Sequence, residues 1–168
     1  MYYVFFAIAF VCFVFHTTMH VLEHFEKVSG RKSIYAAIGV SMLLGWSSYF
    51  YISFSSLPAS FSVFNLIGLI VLIAGFYLFF VSQNKVHKRM HSGKGGLVTD
   101  GIYRRLRHPM YLGEILMFIG TPILGQSMLT LFLSPIFIVQ ILIWRYFEEQ
   151  KLVAEFPEYS EYKKRTLF

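Results

Sequence analysis

Three stretches of this chain, 1–22, 33–84 and 115–144, contain no Asp, Glu, Lys or Arg. That absence constrains the fold more than anything else in the sequence. A helix that crosses a bilayer needs roughly 20 predominantly apolar residues. The first stretch fits one such helix and the second fits two. The third fits two only if they are short or tilted. Turn residues mark the splits: Ser55-Ser56-Leu57-Pro58 in the second stretch and Gly125-Gln126-Ser127 in the third. The expected fold is therefore all-α, a polytopic integral membrane protein of about five transmembrane helices near 2–22, 34–54, 61–82, 111–125 and 128–148. Only 14% of the residues are charged, against about 25% in a soluble domain.

The start, MYYVFFAIAFVCFVF, lacks a basic region and a small-residue cleavage site, so a retained span is expected rather than a signal peptide. Cys12 is the only cysteine and lies in that span, which excludes an intramolecular disulfide.

The net charge of +6 does not point to nucleic acid, because of where the cations stand. All 15 fall after the first, third or fifth span. The positive-inside rule places those segments in the cytoplasm. The predicted topology has the N-terminus outside and the C-terminus inside. The basic segments also favour anionic lipid headgroups. The chain reads as a single domain with two regions: a featureless three-helix anchor over 1–82, and 83–168, which holds nearly every polar group of interest. Within the loop of the second region, Ser92-Gly93-Lys94-Gly95-Gly96 reads as a connector.

Three groups of residues are candidates for chemistry. His16, His20 and His24 share one helical face, and His87 and His91 repeat the four-residue spacing. No metal site is expected, because histidines at a membrane interface need no metal. The segment Arg107-His108-Pro109-Met110-Tyr111-Leu112-Gly113 follows Arg104 and Arg105. Pro109 suits the first turn of a helix. The unpaired N–H groups there, with Arg107 and His108, form a cationic mouth able to hold a carboxylate or phosphate. Finally, Arg145, Glu148 and Glu149 close the fifth span on the same side. A short hairpin makes the fourth and fifth helices antiparallel neighbours, so His108 and Glu149 should lie close. Glu148 and Glu149 diverge by about 100°, so at most one should face the site squarely. A cationic mouth opposite a carboxylate suits a zwitterion.

These residues carry a resemblance. RRLRHPMYLGE, preceded by LVTDGIY and followed by RYFEEQKLVAEFPEYSEYKKR, resembles the isoprenylcysteine carboxyl methyltransferase family, to which membrane phospholipid methyltransferases are related. It covers about half the chain, roughly Gly96 to Arg165. The resemblance implies S-adenosylmethionine as methyl donor, with S-adenosylhomocysteine as product, in a cytoplasm-facing pocket. It implies a lipophilic acceptor arriving from the bilayer, foremost the carboxylate of a prenylated cysteine. Leu97, Val98 and Tyr103 then match pocket wall, and His108, Pro109, Met110 and Tyr111 the binding turn. Leu112 and Gly113 match close approach, and Glu148 or Glu149 the cofactor-binding glutamate. Arg107 and Arg145 are the candidates to orient the acceptor, so Arg107, Arg145 and Glu149 form the expected catalytic set. Six aromatics, Tyr111, Phe118, Phe132, Phe137, Trp144 and Tyr146, are expected to frame the pocket or meet lipid. The chain departs from many relatives at Ile102 and Pro157. Alternatives are methylation of an aminolipid or small thiol, an NADPH-dependent membrane reductase, and a non-catalytic scaffold.

Overall fold

The computed structural model describes residues 2–25, 32–55, 60–91 and 96–168. Lys27, Arg31, Pro58 and the 92–95 part of the glycine loop lie outside the described residues, as does the side chain of His24. Among the described residues, six α-helices follow in order: α1 (Tyr2–His24), α2 (Lys32–Phe54), α3 (Val63–His91), α4 (Pro109–Leu124), α5 (Met128–Glu155) and α6 (Tyr159–Arg165). A short 3₁₀ turn, Gly101–Arg104, precedes α4. The described residues form no strand, only an isolated parallel bridge between Leu106 and Leu167.

Four helices, α1, α2, α3 and α5, are long and apolar enough to cross a membrane. The fifth apolar helix, α4, has 16 residues. At 1.5 Å per residue it is about 24 Å long, short of a hydrocarbon core of about 30 Å. Two helices run further than the charge-free stretches predict. α3 continues through Gln83–His91 and α5 through Glu155. Gln, Lys, Arg and Glu are good helix formers, so a helix that has left the apolar zone has no reason to stop at its edge. The segment after residue 148 therefore starts as a continuation of α5. It breaks at Phe156-Pro157 and restarts as α6. The boundary drawn at residue 82 falls inside α3.

Lipid offers little hydrophobic drive between helices, so association rests on close packing and on polar bonds. α3 and α4 pack backbone to backbone through paired glycines. A Cβ on Gly75 would stand 2.8 Å from the Gly113 carbonyl oxygen, and a Cβ on Gly113 would stand 2.7 Å from that of Gly75. One heptad further, Gly120 meets Leu72 and Gly68 meets Leu124. The other face of α4 joins an aromatic core. Phe13, Phe118 and Phe137 sit with ring centroids 5.1–5.2 Å apart, and the Tyr49 hydroxyl donates to the Phe118 carbonyl at 2.7 Å. Of the six aromatics expected around a pocket, Tyr111, Phe118, Phe137 and Trp144 belong to this core, while Phe132 and Tyr146 are exposed.

At the end of the bundle holding the α4–α5 turn, the Asn65 amide donates to the Leu124 carbonyl at 2.6 Å and satisfies the last turn of α4. Ser127 caps α5. The opposite end brings together the C-terminal ends of α1, α3 and α5, the start of α4, and α6. His20 stacks on Trp144 there, and Lys85 of α3 pairs with Asp100 ahead of the 3₁₀ turn.

Candidate active site at the mouth of α4

Pro109 opens α4 and His108 is its N-cap. His108 makes no capping bond with its side chain, which leaves the imidazole to other partners. It is 5% exposed and stacks on Tyr111 with centroids 5.7 Å apart. Its Nε2 lies 3.2 Å from Glu149 Oε1 and 3.3 Å from the Tyr159 hydroxyl. Its Nδ1 lies 3.8 Å from Glu148 Oε2. Both carboxylates therefore flank His108, but Glu149 alone is within hydrogen-bond reach, while Glu148 stands further off with its side chain 41% exposed. The 100° between them straddles the ring, and one acid meets each nitrogen. Burial pushes the imidazole down to about 4, although Glu149 pulls it the other way. His108 is thus neutral at physiological pH. A ring protonated at Nε2 donates to Glu149.

Glu149 is the hub. Its Oε1 meets Arg107 Nε at 3.3 Å and Arg145 Nε at 3.6 Å. Its Oε2 accepts from Lys163 Nζ at 2.6 Å. One buried carboxylate thus gathers cations from the segment before α4, from its own helix and from α6. Arg107 reaches further still, with Nη1 donating to the carbonyls of Lys163 at 2.9 Å and Thr166 at 2.5 Å. The backbone completes the clasp: Arg107 N–H donates to the Leu167 carbonyl and Leu167 N–H to that of Arg105, at 3.0 and 2.7 Å. The Tyr162 hydroxyl donates to the Tyr103 carbonyl at 2.6 Å. Arg145 lies over the Phe168 ring, 4.5 Å from its centroid.

The structure thus brings together Arg107, His108, Tyr111, Arg145, Glu148 and Glu149. Tyr111 is buried, with its ring stacked on His108. Tyr103 is buried in the 3₁₀ turn beneath α6. Leu97 and Val98 are half-buried in the extended segment before that turn. Pro109 is fully buried, and Met110 packs on the aromatic core. Leu112 is half-buried. The close approach that Gly113 permits is to α3. Sequence reasoning missed Tyr159, Tyr162 and Lys163, although they stand in the quoted EYSEYKKR. It also missed Glu114, buried one turn into α4. The signal for the first three was present: on a helix, Tyr159 and Tyr162 share the face that α6 buries. His16 and His20 lie with Nε2 atoms 3.0 Å apart against Trp144, and His87 stacks on His91.

A bundle of membrane-length helices with a charged, partly buried mouth at one end defines an integral multi-pass membrane protein. The family model for phospholipid methyltransferases matches residues 60–159, and the chain belongs to that family. It is also similar to the protein-S-isoprenylcysteine O-methyltransferase of Schizosaccharomyces pombe, with 37% identity over 78 residues. That match covers 42% of this chain and 30% of the relative. No solved structure matches.

Proposed function

We propose that the protein is an S-adenosylmethionine-dependent methyltransferase acting on a lipophilic acceptor, with the mouth of α4 as its active site. The observation that carries this reading is the convergence of Arg107, His108, Arg145, Glu148 and Glu149 around one buried imidazole, in a chain of this family. The donor set fits the methyl donor. Its carboxylate suits Lys163 and the positive N-terminal end of α4, and its ammonium and ribose hydroxyls suit carboxylates. Bound there, S-adenosylmethionine supplies an electrophilic methyl group on a sulfonium.

The residues have simple duties. Methyl transfer is an in-line displacement that depends on proximity and alignment. A carboxylate acceptor is already nucleophilic, so an arginine need only hold it. Arg145 is placed for that role, with its guanidinium a quarter exposed and steadied by Phe168. Arg107 is spent on the clasp and acts by positioning α6. The acceptor we favour is the carboxylate of a prenylated cysteine, the group after which the S. pombe relative is named. An aminolipid acceptor would need a base, and neutral His108 between two glutamates is the group for it. We place the N-terminus outside and the mouth in the cytoplasm, because every lysine and arginine stands at the end of the first, third or fifth span or after it.

Titration calorimetry of detergent-purified protein with S-adenosylhomocysteine tests the donor assignment. Wild type should bind at micromolar affinity. Glu149→Ala should bind at least several-fold more weakly, since a hydrogen bond to a charged group contributes roughly 1.5–3 kcal/mol. Arg145→Ala should keep the affinity. Equal affinity in wild type and Glu149→Ala would remove Glu149 from the donor site.

A further inference from the structure

One acidic side chain near the mouth has no place in the clasp. Glu114 follows Tyr111 by three residues and precedes Phe118 by four, so all three share the inward face of α4. Glu114 is 4% exposed, and its Oε2 has no hydrogen-bond partner. Among the described residues no lysine or arginine pairs with it. Tyr111 links it to a second acid, Glu148 of α5: Tyr111 stands one helical turn before Glu114, and its ring stacks on His108, whose Nδ1 lies 3.8 Å from Glu148 Oε2. Every cation of the clasp is engaged elsewhere, with Arg107, Arg145 and Lys163 all on Glu149.

A buried carboxyl without a counter-charge is an expensive arrangement in a membrane bundle, and such groups mark functional sites. A residue kept only for packing would have both oxygens satisfied. What relieves this arrangement is a positive charge. A cation able to hydrogen-bond could be held by a single carboxylate. A sulfonium has no N–H or O–H to donate, so it is recognised by opposing charge and by an aromatic face. Glu114, Glu148 and the ring of Tyr111 supply both.

We propose that Glu114, with Tyr111 and Glu148, receives the sulfonium of the methyl donor, so that the site prefers charged donor to neutral product. This rests on the donor reading above. Its functional consequence is release: once the methyl group has left, the thioether no longer neutralises the acid pair, and product affinity falls.

The test is calorimetry with three ligands: S-adenosylmethionine, neutral S-adenosylhomocysteine, and the analogue in which an amine-bearing carbon replaces the sulfonium. Wild type should bind both cationic ligands about tenfold or more tighter than S-adenosylhomocysteine. Glu114→Gln should bring that ratio to within about twofold of unity and leave S-adenosylhomocysteine affinity in place. A merely structural role would weaken all three together. Wild type without a preference for the cations overturns the proposal, as does a Glu114→Gln protein that keeps the full ratio. If the ratio is kept while an aminolipid binds more weakly to Glu114→Gln, the cation is the acceptor's and the sulfonium assignment is wrong. Should Glu114→Gln not fold, the wild-type ranking decides alone. If wild type binds none of the three, the donor reading falls and takes this inference with it.

Discussion

Glu149 uses two oxygens to hold Arg107, Arg145, Lys163 and His108, so its loss would leave three cations without their counter-charge. His108 beside it gives the residue-scale prediction. Its folded imidazole titrates near 4, against an ordinary value of 6.5. Between those values the unfolded chain binds more protons, so stability rises with pH across the window. Sign and site agree: charging a ring buried between Tyr111, Tyr159, Arg107, Arg145 and two glutamates costs more than charging it in water. The melting temperature in detergent should therefore fall as pH drops from 6.5 towards 4, by an amount worth a few kcal/mol at most. His108→Asn should flatten that part of the profile. An unchanged slope in the variant would show that His108 does not carry it.

At the scale of elements, the tightest joint is α3 against α4. Gly113→Ala sets a Cβ 2.7 Å from the Gly75 carbonyl oxygen and 2.8 Å from the Phe79 nitrogen, and backbone cannot yield as a side chain can. The helices must part, at a cost of about 1–3 kcal/mol, read as a lower melting temperature. A variant as stable as wild type would mean the two helices pack more loosely than this. The joint also explains what could be read in advance. Charge-free runs disclosed α1, α2 and most of α3, because the bilayer excludes charge. Pro109 disclosed the start of α4, because its ring suits a first turn. The reach of α3 to His91 was hidden, since hydropathy reports the membrane and not the helix. The pairing of Leu106 with Leu167 was hidden as well, because a short contact between distant segments leaves no periodic trace. Glu114 escaped for a different reason. It ends a run of charges in the sequence and reads as the last of them, yet α4 has already carried it inside.

Across the whole molecule, the four membrane-length helices and the shorter one found among the described residues enclose a charged mouth. The short helix is the one that carries the proposed binding turn. Its start lies where the long helices have run past the apolar zone, with α3, α5 and α6 built around it. The proposed function brings a polar donor to this mouth from the aqueous side and a lipophilic acceptor from the bilayer. The most direct measurement is transfer of labelled methyl from S-adenosylmethionine to a farnesylated cysteine in sealed membrane vesicles of both orientations. The donor does not cross the bilayer unaided. Inverted vesicles should label the acceptor, and right-side-out vesicles should do so only after lysis. Labelling in intact right-side-out vesicles would reverse the orientation. No labelling in any preparation, with folded protein present, would contradict prenylcysteine methylation by this chain.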